Sequence, residues 1–87
     1  MYTVQLLKPA RKNLEKLDRS TAKRIVDRLE WLSLNLDSTK LYPLKGELSG
    51  LYKLREGHYR IFYEILLTER ILLVHAIGHR RDVYKRR

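Results

Sequence analysis

The sequence predicts an α+β domain in which an N-terminal strand and a helical hairpin pack on a small, mainly antiparallel sheet. Three observations carry that expectation. Residues 2–7 (YTVQLL) alternate apolar and polar side chains, the period of a half-buried strand. From Ala10 to Leu36 the apolar residues recur at three and four, the period of a helix. From residue 52 onward the chain returns to strand-like runs separated by turn signals. Strand, helix, helix and then a three-strand meander give one sheet with helices on one face.

Each element has a local reason. In residues 2–7, Tyr2, Val4 and Leu6 point one way and Thr3 and Gln5 the other. Pro9 suits the first turn of a helix, where its missing N–H costs nothing. Ala10, Leu14 and Leu17 then lie on one helical face, and the first helix ends near Leu17. Asp18 and Ser20 are both possible N-caps for a second helix over residues 21–35. Its stripe is Ala22, Ile25, Leu29, Leu32 and Leu36, with Trp31 placed at the edge of the core. Residues 37–50 read as a loop, broken by Pro43, Gly46 and Gly50 and tied down by Leu41, Leu44 and Leu48. Residues 52–55 and 58–66 form a hairpin about Glu56-Gly57. Residues 71–77 are nearly all apolar, as in a central strand covered on both faces. A short basic tail follows at 82–87.

Composition narrows the function classes. The 87 residues carry 19 Lys and Arg against 10 Asp and Glu, a net charge of +9, and residues 79–87 alone contribute +4 of it. A chain of this length is expected to form one domain, spanning 1–87. The absence of cysteine excludes a disulfide framework, a thiolate metal site and a thiol nucleophile. No apolar run approaches the roughly 20 residues of a bilayer span, and Lys8, Arg11 and Lys12 interrupt any secretory h-region. The expectation is a cytoplasmic protein with no membrane partner. The excess charge makes a polyanion the leading partner class.

Strand alternation selects the candidate residues. With Tyr52, Leu54, Tyr59 and Ile61 facing the helices, Lys53, Arg55 and Arg60 share the opposite face. Phosphates held by such cations, with Tyr84 stacking on a base, suit a single-stranded nucleic acid. The competing expectation is two exposed arginines paired with Glu56 and Glu64. Among the histidines, His75 reads as a satisfied, partly buried strand residue and His58 as solvated. His79, beside Arg80 and Arg81, is the candidate general acid or base. No two histidines stand at metal-ligand spacing with a carboxylate, so neither a metal nor another cofactor is expected.

The run LKGELSGLYKLREGHYRIFYEI (residues 44–65), followed by IGHRRDVY (77–84), resembles the RelE/ParE superfamily, the toxins of type II toxin–antitoxin pairs. The likeness extends over essentially the whole chain, and LRxGxYRIxY is its most specific part. It implies the RelE-like microbial ribonuclease fold and two possible activities. RelE-like members are endoribonucleases that cut mRNA in the ribosomal A site. ParE-like members poison DNA gyrase. In both branches an antitoxin neutralises the toxin. By resemblance, Arg60 binds the scissile phosphate and Lys53 adds positive charge and helps activate the hydroxyl. Arg80 serves the leaving-group side, and Tyr84 stacks on or orients the nucleotide. Arg55, Lys45, His79 and Arg81 are supporting positions. Arg80 and Tyr84 favour the ribonuclease branch. A further lysine of the ribosome-dependent members, two residues before Lys53, is Leu51 here, and this departure motivates a third expectation, a weakened member that only binds its antitoxin.

Overall fold

A computed structural model describes residues 1–83. The sheet has five strands: β1 (Thr3–Leu6), β2 (Tyr42–Pro43), β3 (Tyr52–Glu56), β4 (Tyr59–Leu66) and β5 (Ile71–His79). Their spatial order is β1-β5-β4-β3-β2, with β1 parallel to β5 and every other pair antiparallel. Three α-helices accompany them: α1 (Lys8–Glu15), α2 (Arg19–Asn35) and α3 (Arg80–Val83). The expected α+β class and the central place of residues 71–77 are what the structure shows.

The helices form where the periodicity places them. Pro9 sits in the first turn of α1. Asp18, not Ser20, is the N-cap of α2: its carboxylate accepts from the Thr21 N–H at 3.3 Å, and the Ser20 hydroxyl donates to it at 2.7 Å. Hydrogen bonds from Thr21, then from Ser20, hold the Asp18 carboxyl down at about 2. Ala10, Ile25, Leu29, Leu32 and Leu36 are buried against Leu54, Ile61, Tyr63, Leu72, Val74 and Ile77 of the sheet. Each large side chain so buried stabilises the fold by roughly 1.5–3 kcal/mol in area terms. Trp31 departs from expectation: it is exposed, with the Arg28 guanidinium 4.6 Å from its ring centroid.

Three features of the sheet differ from the sequence reading. Within the supposed loop, Tyr42 and Pro43 pair with Lys53 and Tyr52, so the meander has four strands. A proline is tolerated there because β2 is an edge strand. The hairpin turn is Gly57-His58 rather than Glu56-Gly57, since Glu56 pairs with Tyr59. Gly57 takes φ +60°, and glycine at the first central position is what a type II′ turn requires. Finally, the register of β4 on β5 slips between Phe62 and Tyr63, opposite Ala76 and Val74, which leaves His75 in a bulge. The His75 ring meets Glu64 at 3.0 Å, as expected of a satisfied strand histidine.

β1 ends at Leu6, opposite Val74, so the backbone of β5 needs another partner beyond that point. Asn13 of α1 supplies it, accepting the Ile77 N–H at 3.0 Å. This fixes the exit of β5, and with it the position of α3.

Candidate functional site

The cross-strand register assembles the predicted basic group. Lys53 lies opposite Phe62, and Arg55 lies opposite Arg60. All four share the face away from Leu54, Ile61 and Tyr63, as the alternation requires. That face is not solvated throughout, however. Phe62 is 4% exposed and Arg60 9%, so Arg60 is a buried cation rather than the exposed strand residue the simpler reading expects.

The pairing partners also differ from that simpler reading. Glu64 is taken by His75, and Glu56 lies 3.8 Å from Arg24 of α2. Arg60 instead donates from Nη1 to the carbonyl oxygens of Gly57 at 3.2 Å and Tyr59 at 3.0 Å. Neither Arg55 nor Arg60 forms an ion pair with a described carboxylate. Two arginines directly opposite one another on adjacent strands repel. Such a juxtaposition, without a counterion among the described residues, is suited to receiving an anion from outside.

Lys53, Arg55 and Arg60 line a cleft of about 630 Å³. Its other wall carries Arg28 of α2 and Lys40 and Tyr42 of the β2 segment. Tyr63 also lines the cleft. Burial first, then the neighbouring Tyr52, pushes the Tyr63 phenol up to about 12, against the opposing effect of Arg28. The phenol therefore keeps its proton across the physiological range. Arg28, Lys40, Tyr42 and Tyr63 are absent from the sequence-derived set. Nothing in their local pattern marks them, because a charged residue on the polar flank of a helix is ordinary.

The remaining predicted residues are placed as follows. Arg80 opens α3, and its backbone N–H donates to the His58 carbonyl at 2.8 Å. The same two-residue turn thus anchors both the Arg60 guanidinium and the start of the Arg80 helix. Arg81 is exposed on α3. Lys45 is exposed, just before the 3₁₀ turn Gly46–Leu48, and does not line the basic cleft. Tyr84 lies outside the described residues.

His79 is separated from the basic row. It pairs with Tyr59, on the helix side of the sheet. Its ring stacks on His58 at 5.8 Å, meets Tyr59 edge-on at 5.5 Å, and accepts the Arg81 N–H at Nδ1. His79, Phe62 and Val83 line a second cleft, between α1 and α3. Gly78 permits this arrangement: a Cβ there would stand 3.2 Å from the Val83 Cβ.

Comparison with known proteins identifies the frame that carries this site. The family model for the ParE toxin of the type II toxin–antitoxin system parDE matches residues 4–84. The chain belongs to this toxin family. The toxin RelG of Mycobacterium tuberculosis is 30% identical to it over 86 residues, 98% of each chain. The putative toxin RelE1 of Methanocaldococcus jannaschii is 29% identical over 97% of this chain and 96% of its own. In the solved toxin–antitoxin complex RelBE2 of M. tuberculosis, a chain 29% identical matches 90% of this one and 96% of itself with a TM-score of 0.80. The isolated RelE toxin of E. coli shares the fold at a TM-score of 0.74 and 21% identity, over 98% of this chain and 93% of its own. The protein is thus a type II toxin of the RelE/ParE superfamily. Its α+β architecture is that of the RelE toxins.

Proposed function

We propose that the protein is a ribosome-dependent endoribonuclease that cleaves translated mRNA and so inhibits translation. The observation that carries this reading is the row of Lys53, Arg55 and Arg60 on one sheet face, with Arg60 buried and the two arginines lacking a described counterion. Curated relatives bearing RelG and RelE1 names support the same branch.

In the proposed reaction the 2′-hydroxyl attacks the adjacent phosphorus in line. The P–O5′ bond breaks, leaving a 2′,3′-cyclic phosphate and a 5′-hydroxyl. The hydroxyl proton must leave, and the departing oxygen must gain one. Negative charge grows on the phosphoryl oxygens, where Arg60 and Lys53 stabilise it as preorganised cations. Arg80, tied to the same turn as Arg60, serves the leaving-group side. Tyr84 completes the proposed set by orienting the nucleotide. Fixed side-chain cations supply the charge stabilisation, so the route calls for no cofactor.

The test is induced expression followed by mapping of mRNA 5′ ends, with and without translation of the same message. Cleavage inside translated codons, lost when initiation is blocked, is the expected result. Arrest with intact mRNA overturns the reading. The family model's ParE name favours a second reading, gyrase inhibition by protein binding. That alternative predicts DNA breaks and an SOS response while translation continues.

A cognate antitoxin is the proposed protein partner. Two solved relatives in this fold are toxin–antitoxin complexes. An acidic or amphipathic segment is the chemistry that complements a surface of net charge +9.

A further inference from the structure

The basic cleft is larger than the proposed scissile site. Two of its cations, Arg28 and Lys40, come from neither β3 nor β4. Their position follows from the shortness of β2. That strand covers Tyr52 and Lys53 and stops, so Leu54, Arg55 and Glu56 present an unpaired outer edge. The cleft crosses this edge and joins the Lys53 and Arg60 side of the sheet to the flank of α2.

Its electrostatics are one-sided. Among the described residues, five cations and a single carboxylate, Glu56, line it. That carboxylate lies beside Arg24 on α2. Arg28 and Lys40 form no ion pair with a described carboxylate. Each lies instead over an aromatic ring, Arg28 on Trp31 at 4.6 Å and Lys40 on Tyr42 at 5.5 Å. Ring contacts orient a cation without neutralising it. A cleft lined by one sign of charge concentrates its field on whatever anion enters. Tyr42, half exposed at the rim, adds a surface on which a base can stack.

We propose that Arg28, Lys40 and Tyr42 form a second single-stranded RNA subsite, which holds the backbone beyond the scissile phosphate as the strand passes over the free edge of β3. This rests on the ribonuclease reading for the identity of its ligand. The repeating charge of a nucleic-acid backbone matches a succession of cations on β4, β3 and the β2 segment. The stacking ring at the rim favours RNA over an acidic peptide.

The test measures binding of the purified full chain to fluorescein-labelled RNA of twelve and of three nucleotides across a salt series. The double variant Arg28→Gln/Lys40→Gln is compared with Arg11→Gln/Lys12→Gln, which removes equal charge from the exposed face of α1. The expected result is a loss of about tenfold or more on the longer RNA for the first variant, with log K against log salt shallower by about 1.4, two backbone contacts' worth. The ratio of twelve-mer to three-mer affinity falls with it, while the α1 variant keeps the wild-type slope. An unchanged slope, or an equal loss in the α1 variant, overturns the subsite. So does a loss seen only with a labelled twelve-residue polyglutamate probe, which would make the surface a peptide site. Lys40→Glu, at an exposed position, repeats the test should the double variant fail to fold. The reaction is scored separately, by 5′-end mapping in cells. A shallower slope without cleavage leaves the subsite standing and removes the reaction. Cleavage abolished by Arg60→Ala with the slope unchanged at Arg28 and Lys40 does the reverse.

Discussion

Arg60 combines properties that pull against one another. It is buried, faces a second arginine across the strand pair, and donates from Nη1 to two carbonyl oxygens. In the proposed role its charge is matched only when a phosphate arrives. Arg60→Ala is therefore expected to slow single-turnover cleavage of ribosome-bound mRNA by about 10²–10³, the effect of losing one preorganised donor. Arg60→Lys keeps the charge without the planar fork and should fall between. Arg55 offers the complementary prediction. Arg55→Gln relieves a directly opposed like-charge pair, so it should stabilise the fold by about 0.5 kcal/mol, seen as a higher Tm, while weakening RNA binding. A lower Tm would show that the two arginines do not repel as placed. Alternation made Lys53, Arg55 and Arg60 legible in the sequence, because the period of a strand assigns faces without tertiary information. It did not reveal that Arg60 is buried. Arg28 and Lys40 were not legible at all, since only the folded chain brings α2 and the β2 segment to the edge of β3.

Helices and strands are legible in the sequence where periodicity is long, and less so where an element is short or its register slips. The stripe Ile25, Leu29, Leu32 and Leu36 defined α2 and its buried face. β2 is not legible in the sequence because two residues carry no period. The sequence predicts the β3–β4 turn one residue early because Glu56-Gly57 is itself an acceptable hairpin dipeptide. Two predictions belong to this scale. Gly57→Ala must hold an L side chain at φ +60°, costing about 1–2 kcal/mol, although the space around it is open. Because that turn anchors both Arg60 and Arg80, cleavage should fall along with Tm. A drop in Tm with full activity would separate the turn from the site. The cap of α2 yields a pH signature. The Asp18 carboxyl is lowered from its usual 3.8 to about 2, so it is charged in the folded chain where the unfolded chain already binds a proton. Its stabilising contribution is complete above about pH 4 and disappears as pH falls through 2. Asp18→Ala should lower Tm by several degrees at pH 7, with the difference shrinking toward pH 2. A pH-independent difference would remove the capping account.

Across the whole molecule the excess of positive charge opposes the core that holds it together. The fold measures 31 × 30 × 23 Å, about two to three times the screening length of about 10 Å at 0.1 M salt. At that ionic strength the repulsion acts between neighbouring cations, such as those that line the cleft, and at 1 M, with a screening length of about 3 Å, that too is screened. Attraction does little to offset this among the described residues. Lys23–Asp27 is exposed, Arg24–Glu56 is long at 3.8 Å, and His75–Glu64 is about one-third exposed. Exposed pairs of this kind each contribute about 0–1 kcal/mol. The Tm of the free chain should consequently rise by several degrees between 0.1 and 1 M NaCl, as screening removes more repulsion than attraction. Part of such a rise would follow from salting-out of apolar surface, which acts on any protein. The variant Arg28→Gln/Lys40→Gln distinguishes the two, because it removes charge while leaving the core residues in place. Its Tm should start higher at 0.1 M and rise less with salt. An equal rise in both proteins would assign the effect to apolar burial alone. A polyanion bound in the cleft should replace added salt in the same sense, raising the wild-type Tm at low ionic strength more than that of the variant. The charge that weakens the isolated fold is thus the charge available to a bound RNA or an acidic partner.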